Sequence, residues 1–279
     1  MQPLAASNHR LRRLRRLTRR RSLRVSEGVV VLEGSTIVAE ALDGGVHLLE
    51  AYHEPGTDDA LVGALERAGV DHHPVEPGAV ARVADTVNAQ GVIALARRPD
   101  TSLHGLVASL ATLDAPFVLV AVDLADPGNV GTLVRAAEAC GAAGIVCCGG
   151  ADPLGPKAVR ASAGLALSVP LVVEPDPETA LARLSEAGLA IAATAVDEGR
   201  VPDDGVLVGP VAIVVGNEAR GVAAHVIERA DARVRIPTVG RAESLNVAMA
   251  GAILCYEASR SRRAPNAAGV ASADTARTP

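Results

Sequence analysis

The chain has 279 residues, of which only 1% are aromatic and 49% are hydrophobic, so its core must be built from Ala, Val, Leu and Ile. Apolar segments of ordinary length separate the charged residues, which excludes a wholly disordered chain. No apolar run reaches the ~18 residues that span a bilayer. At roughly 100–200 residues per domain, the length predicts about two domains.

Positive charge is concentrated in one segment near the N-terminus. Residues 10–24 contain nine arginines and no acidic residue, whereas the whole chain has a net charge of −5. The remaining 18 basic residues face 32 acidic ones, which gives the rest of the chain a net charge of −14. A dense cationic block favours a polyphosphate partner, because each neutralised phosphate releases counterions. The alternative is a solvated basic tail.

The cysteines and histidines do not form a metal-binding pattern in the sequence. Cys140, Cys147, Cys148 and Cys255 have neither CxxC spacing nor flanking histidines, and His72–His73 is the sole histidine pair. We interpret the thiols as small buried side chains of a reducing compartment, and we expect no disulfide and no metal. Because the sequence also has no apolar secretory signal, this pattern predicts a cytoplasmic protein.

The first part of the chain alternates between helix and strand patterns. Leu11, Leu14 and Leu17 recur at helical spacing and predict one amphipathic helix over 11–23 with a wide basic face. The segments after it predict a small α/β or α+β domain that ends near residue 97. The predicted strands are 29–32, 47–52, a short one near 70 and 90–96, and the predicted helices are 36–42, 58–68 and 79–86.

A second series of strands and helices begins at Pro116. Its strands are almost continuously apolar, which is typical of a parallel sheet that helices cover on both faces. Ligands bind such sheets at the carboxyl ends of the strands. The predicted strands are 117–122, 145–148, 171–173, 190–195 and 211–215, and the predicted helices are 130–139, 157–163, 178–186, 223–228 and one that starts at 247.

Polar residues crowd the ends of these apolar strands in three places. The patterns are N-x-G-x-x-x-R over 129–135, G-N-E-x-x-G over 216–221 and I-P-x-x-G-x-x-x-S-L-N over 236–246. Taken singly, each pattern could be structural, since its polar residues could cap the helices that follow. The motifs GxGxxG, GxxxxGK[ST] and GxSxG are missing from the sequence, which disfavours hydride transfer, ATP hydrolysis and acyl hydrolysis.

In order and spacing, the three patterns together resemble the motifs of the SpoU family of RNA ribose methyltransferases, also called the TrmH family, over about residues 116–260. The segment P-K-x-x-R-x-S-x-G at 156–164 also looks like part of that family. Residues 10–97 resemble the family's ribosomal-protein-like, substrate-binding domain. The implied fold is α/β: a parallel-sheet SPOUT methyltransferase domain with a deep trefoil knot, and a smaller α/β RNA-binding domain before it.

The resemblance gives functions to the segments of the chain. We expect a basic arm over 1–25, an RNA-binding domain over 26–97, a linker over 98–113, a catalytic domain over 114–263 and a disordered tail over 264–279.

The resemblance also implies S-adenosylmethionine as the cofactor, RNA as the substrate and a homodimer, in which the small residues of the last helix would permit close packing. The implied cofactor-binding residues are Thr194, Gly216, Ile236 and Leu245. The implied catalytic residues are Asn129, Arg135, Glu218, Ser244 and Asn246.

A ribose 2′-hydroxyl is a weak nucleophile, so it must lose its proton while it attacks the methyl group. Because a guanidinium stays protonated in proteins, we expect Arg135 to grip the target phosphate and to stabilise the developing alkoxide. The proton would go to phosphate, water or another side chain. Asn129 and Asn246 would orient Arg135 or the ribose, and Glu218 would hold its loop and balance the charge of Arg135.

Two other functions fit part of the sequence. One is a non-catalytic RNA-binding module of the same fold, and the other is a nucleotide-binding α/β enzyme that acts on small molecules. All five polar positions of the implied catalytic site are present, which favours the methyltransferase over the module. The basic segment disfavours a small-molecule substrate. The additional N-terminal domain favours 23S rRNA over tRNA as the target, by analogy alone.

Overall fold

Two β-sheets organise the computed structural model, which describes residues 2–86, 89–241 and 244–263. The predicted tail 264–279 lies outside the described residues. The part that precedes residue 98 contains α1 (His9–Arg19), α2 (Arg21–Glu27), β1 (Val29–Glu33), α3 (Ser35–Asp43), β2 (Leu48–His53), α4 (Asp59–Arg67), β3 (Asp71–Pro74) and β4 (Val92–Arg97). Its sheet has the order β1-β4-β2-β3, with β4 antiparallel to both neighbours and β3 parallel to β2.

The second part of the chain is built on a parallel sheet. Its elements are α5 (Leu103–Leu110), β5 (Phe117–Val122), α6 (Pro127–Ala139), β6 (Gly144–Cys148), α7 (Pro156–Ala161), β7 (Leu171–Glu174), α8 (Pro177–Glu186), β8 (Ala190–Thr194), β9 (Val211–Val215), α9 (Ala224–Ile227), β10 (Ala232–Val234) and α10 (Val247–Arg263). Within the described ranges the strand order is β10-β8-β9-β5-β6-β7, and every neighbouring pair is parallel.

Helices cover both faces of this parallel sheet. Leu133 of α6, Val159 of α7 and Leu254 of α10 join the core on one face, and Leu106 of α5 and Leu184 of α8 join the core on the other. Burial on both faces explains why the strands are apolar at nearly every position rather than at alternate positions. The predicted fold class, a parallel α/β domain preceded by a smaller sheet domain, is confirmed.

The arginine-rich segment forms two helices, so the prediction of one helix over 11–23 is wrong. The chain is extended at Arg20, between α1 and α2. The side chain of Arg24 donates hydrogen bonds to the carbonyl oxygens of Leu17 (2.7 Å) and Thr18 (3.0 Å). These carbonyls belong to the last turn of α1 and have no partner within that helix, so Arg24 caps α1 from α2.

The leucine seam of α1 packs on the first sheet. Leu11, Leu14 and Leu17 are at most 1% exposed and contact a core that includes Val31 and Tyr52. The segment that we expected to be an arm is therefore a packed layer of the small domain.

Three further local predictions differ from the structure. Residues 79–86 form turns, not a helix, because Val80 N–H donates to the carboxylate of Glu54 (2.8 Å) and Asp85 N–H donates to Glu33 (2.8 Å). The expected linker 98–113 contains α5, which packs on the parallel sheet. The three-residue strand β10 was not predicted, since it is short and its middle residue is an arginine.

The cysteines are free thiols in the structure. Cys147, Cys148 and Cys255 are buried, as predicted, whereas Cys140 is partly exposed. Burial raises the pKa of Cys147 to about 12, so this thiol stays protonated and behaves as a small apolar side chain. No helix in the described ranges is long and apolar enough to cross a membrane.

Candidate active site

The candidate site lies where four neighbouring strands end. β10, β8, β9 and β5 are adjacent and parallel, so their carboxyl ends meet at one edge of the sheet. Thr194 is the last residue of β8, Gly216 follows β9, Asp123 follows β5, and Ile236 comes two residues after β10. This edge is where parallel α/β sheets place their ligands.

A cleft of about 600 Å³ opens at this edge. Six of the nine predicted site residues line it, namely Thr194, Gly216, Glu218, Ile236, Ser244 and Leu245. All four predicted cofactor contacts are among them. Other lining residues were not predicted, including apolar Val222, Ile227 and Leu254 and charged Asp197, Glu198, Arg220 and Arg233. The cleft therefore has an apolar wall beside charged groups.

Glu218 fastens the loop after β9 to the start of α6. Its carboxylate accepts hydrogen bonds from the backbone N–H groups of Ala125 (2.9 Å) and Asp126 (3.0 Å) and from Nδ2 of Asn129 (3.0 Å). Partial burial acts to raise the pKa of Glu218, but the hydrogen bonds from Ala125, Asn129 and Asp126 outweigh it and lower the pKa to about 2. The group is therefore a carboxylate at neutral pH.

Asn129 and Asn246 lie at the same junction. Nδ2 of Asn246 donates to Oδ1 of Asn129 (3.2 Å), which extends the hydrogen-bonded chain from Glu218 to the start of α10. Asn129 does not cap α6, because that helix begins at Pro127 and Asp126 is its N-cap. Asn246, rather than Ser244, accepts from the first-turn N–H groups of α10, at Ala248 (2.9 Å) and Met249 (3.3 Å).

Asn217 holds the same loop from a second direction, and sequence reasoning did not select it. Its Nδ2 donates to the carbonyl of Asp123 (2.8 Å), and its Oδ1 accepts from the N–H groups of Ala219 (3.0 Å) and Arg220 (3.1 Å). The available signal was an asparagine directly after the glycine that ends a strand. Asparagine side chains in turns commonly form hydrogen bonds with nearby backbone groups.

Gly216 is required by the path of the backbone. A Cβ at this position would lie 2.3 Å from the carbonyl of Gly221 and 2.4 Å from the nitrogen of Val222. The missing side chain leaves room for the returning part of the chain's own loop, which forms one side of the cleft.

Arg135 stands apart from the hydrogen-bonded chain. It is exposed on α6, six residues beyond Asn129, and it forms no ion pair or hydrogen bond with any residue in the described ranges. A guanidinium in this position can bind an external anion.

Metal ligands were not expected. Among residues 2–86, 89–241 and 244–263, no group of three His, Cys, Asp or Glu side chains could hold a metal ion.

A cleft at the carboxyl edge of a parallel sheet, next to an arginine-rich domain, is typical of an enzyme that acts on nucleic acid. Comparison with known families makes this specific: residues 116–256 match the SpoU rRNA Methylase family, and residues 8–94 match the MRM3-like substrate binding domain. The chain belongs to the SpoU rRNA methylase family, which confirms the predicted family.

Similar proteins extend over nearly the whole chain. The 23S rRNA (guanosine(2553)-2′-O)-methyltransferase RlmP of Bacillus subtilis is 29% identical over 90% of this chain and 96% of its own length. A crystal structure of an RNA 2′-O ribose methyltransferase is 30% identical, with a TM-score of 0.78 over 94% of this chain and 99% of that chain. The AdoMet-bound rRNA methyltransferase of Sinorhizobium meliloti is 26% identical, with a TM-score of 0.79 over 91% of this chain and 95% of that chain.

Proposed function

We propose that the chain transfers a methyl group from S-adenosylmethionine to a ribose 2′-hydroxyl of RNA, and that this RNA is 23S rRNA. The observation that carries the proposal is the cleft at the ends of β8, β9 and β10, which contains all four positions expected to contact the cofactor. Two relatives that are named as RNA 2′-O-methyltransferases, and one relative whose structure contains AdoMet, align along nearly the full chain.

The cleft suits the cofactor in size and in chemistry. About 600 Å³ is within the usual range of roughly 300–1,000 Å³ for small-molecule sites. Val222, Ile227 and Leu254 offer an apolar wall for a flat ring, and the carboxylates of Asp197 and Glu198 can face a positively charged ligand. S-Adenosylmethionine supplies a methyl group bound to a positively charged sulfur.

The side chains around the cleft divide the work of the reaction. Arg135 holds the target phosphate and stabilises negative charge on the ribose oxygen. The amides of Asn129 and Asn246 orient the ribose, and Glu218 fixes both the loop after β9 and the start of α6 through the contacts described above. Ser244 lines the cleft. Their joint effect is alignment, which can lower the barrier of a reaction between two bound molecules by roughly 7–11 kcal/mol.

The RNA would bind to an exposed cationic surface of α1 and its C-cap, which we call the arginine face. Its members are Arg12, Arg15, Arg16, Arg19 and Arg20. The other four arginines of the basic segment have structural partners: Arg10 and Arg13 lie 3.9 Å and 3.0 Å from Glu50, Arg21 lies 4.0 Å from Asp152, and Arg24 is buried. Because α1 packs on the sheet, the arginine face is held in place, unlike a solvated tail.

A homodimer is part of the proposal, and the C-terminal helix supports it. Gly251 of α10 faces Leu133 of α6, so the small-residue side of the helix is used within the chain. Met249, Ile253 and Tyr256 lie three and four residues apart and are 37–57% exposed, which is the spacing of one apolar helix face. We expect Ile253→Glu to reduce the mass of the particle, measured by light scattering, to that of one chain.

We also propose the trefoil knot and a cytoplasmic location, on the strength of the family.

The decisive experiment compares rRNA and tRNA from cells with and without this chain by mapping 2′-O-methyl groups. One site lost from 23S rRNA, and restored when the purified protein and S-adenosylmethionine are added, is the expected result. A site lost from tRNA would redirect the proposal to tRNA. RNA binding without cofactor binding, measured by calorimetry, would favour the non-catalytic module.

A further inference from the structure

Ion pairs cross from the small N-terminal domain to the catalytic domain at two places, and each place has one close pair. Nη2 of Arg24 lies 2.7 Å from Oδ2 of Asp152, and the guanidinium of Arg160 contacts the carboxylate of Glu33. A more distant partner lies beside each close pair: Arg21 is 4.0 Å from Asp152, and Asp85 is 3.7 Å from Arg160. The two pairs have opposite polarity, since the N-terminal domain supplies the cation to one and the anion to the other. Three of the four side chains are at most 10% exposed, and that of Arg160 is 24% exposed.

Each of these groups has further partners that limit its movement. Arg24 also caps α1, and Oδ1 of Asp152 accepts from the N–H of Leu154 (3.2 Å). Glu33 also accepts from the N–H of Asp85 (2.8 Å). A buried ion pair seldom adds net stability, because the desolvation cost offsets the attraction. If the two partners move apart, however, a buried charge is left without a counter-ion, which is costly. Such pairs therefore favour one position of the N-terminal domain relative to the catalytic domain.

Both pairs attach to α7 and to the loop that leads into it. Asp152 precedes α7, and Arg160 lies in its last turn. The opposite side of α7 touches α6: a Cβ on Gly131 would lie 2.3 Å from the carbonyl of Ala158, so the two helix backbones are in direct contact. In addition, Nζ of Lys157 lies 2.6 Å from Oδ1 of Asp126, the residue that caps α6 and donates to Glu218.

We propose that α7 is a positioning element, in which the Arg24–Asp152 and Glu33–Arg160 pairs fix the RNA-binding domain relative to α6. The inference rests on the proposed methyl transfer to RNA. α6 carries Asn129 and Arg135, so RNA held by the arginine face meets these side chains at a set distance. The four ion-pair residues contact neither cofactor nor RNA in this scheme and act only through α7.

The test uses two near-isosteric variants of the full chain, Asp152→Asn and Glu33→Gln, one from each pair. Three quantities are measured: the Kd for S-adenosylmethionine, the Kd for protein-free 23S rRNA from cells that lack the chain, and the single-turnover methylation rate with both saturating. We expect both Kd values to stay within about twofold. We expect the rate to fall roughly tenfold to hundredfold, the range that a misplacement of 1 Å can cost.

The matched control is Glu27→Gln, which removes a 2.7 Å ion pair to Arg13 inside the RNA-binding domain and should leave the rate unchanged. If either folded variant keeps the wild-type rate, the positioning role is overturned. A parallel loss of cofactor affinity would overturn it as well, since this would show damage to the cleft. If Asp152→Asn does not fold, Glu33→Gln decides alone. A wild-type protein that transfers no methyl group would instead overturn the proposed function, and this inference with it.

Discussion

Glu218 and Asn129 are 89 residues apart in the chain, yet the carboxylate of one accepts a 3.0 Å hydrogen bond from the amide of the other. The contact joins the loop after β9 to the first turn of α6. The same carboxylate also accepts hydrogen bonds from the backbone N–H groups of Ala125 and Asp126. One charged group thus sets the position of the cleft-lining loop after β9 relative to the start of α6.

Replacement of this carboxylate by an amide should loosen the cleft. Glu218→Gln would place an N–H₂ group among three donors, so at least one hydrogen bond is lost. We expect the affinity for S-adenosylmethionine to fall about tenfold, in line with roughly 1.5 kcal/mol for one such bond. Calorimetric titration measures the change. Glu138→Gln removes an exposed carboxylate of α6 and is the matched control; equal affinities in the two variants would contradict the assigned role.

The low pKa of Glu218, about 2, predicts how its contribution to stability depends on pH. An ordinary glutamate in the unfolded chain has a pKa of about 4.3. Because the folded state holds the lower pKa, the contribution is complete above the unfolded value and is lost as pH falls towards 2. The difference in unfolding free energy between wild type and Glu218→Gln should be constant from about pH 6 to 8 and should shrink below about pH 5. Urea titrations at several pH values measure it, and a difference that grows on acidification would show the opposite linkage.

Gly216→Ala tests the close approach of the loop. The added methyl group would lie 2.3 Å from the backbone of Gly221, which cannot yield as a side-chain end can. The loop must shift, and we expect loss of measurable cofactor binding together with a loss of stability of about 1–3 kcal/mol. The control is Gly63→Ala in α4, where the nearest atom, 3.2 Å away, is the end of the Arg67 side chain. Cofactor binding at wild-type strength in Gly216→Ala would show that the loop has another way to close.

The arginine face can be tested without unfolding the domain. Deletion of residues 1–24 would also remove the buried Leu11, Leu14 and Leu17, so point substitutions are needed. Arg15→Gln with Arg16→Gln should lower RNA affinity and reduce the slope of log K against log salt by about 1 per arginine. Filter binding over a range of salt concentrations gives the slope. The control is the double variant Arg183→Gln with Arg229→Gln, which lie on α8 and just after α9. If this variant reduced the salt slope equally, the RNA would not distinguish the arginine face from other cationic parts of the surface.

The helix in the expected linker should behave as part of the catalytic core. Leu106 is 2% exposed and packs on the sheet, so Leu106→Ala should destabilise the protein by about 2–5 kcal/mol. Leu113 is 48% exposed, and Leu113→Ala should change stability by less than about 0.5 kcal/mol. Urea unfolding compares the two variants. Similar small effects in both would mean that α5 is a passive connection.

The sequence predicted those features that depend on local pattern. Apolar runs located five of the six strands in the parallel sheet, and the second and third motifs supplied five of the predicted residues that line the cleft, namely Gly216, Glu218, Ile236, Ser244 and Leu245. Even α5 had a usable signal, since Leu103, Leu106 and Leu110 recur at helical spacing.

Features that depend on distant partners could not be predicted in this way. Residues 79–86 have helix-like spacing, but the carboxylates of Glu33 and Glu54 bind their N–H groups and hold them in turns. Likewise, nothing local distinguishes Arg24 from the other arginines of its segment. Its burial depends on Asp152, 128 residues away.

The side chain of Arg135 forms no hydrogen bond or ion pair with the part of the chain that the structure describes. It is exposed on α6, and its guanidinium lies outside the hydrogen-bonded chain of Glu218, Asn129 and Asn246. Arg135→Ala should therefore leave stability within about 0.5 kcal/mol of the wild type and the Kd for S-adenosylmethionine nearly unchanged. If Arg135 stabilises the developing alkoxide, the methylation rate should fall by about 10²–10³, as for the loss of a transition-state hydrogen-bond donor. Single-turnover assays on 23S rRNA measure the rate. Equal losses of cofactor affinity and rate would place Arg135 in the cofactor site instead.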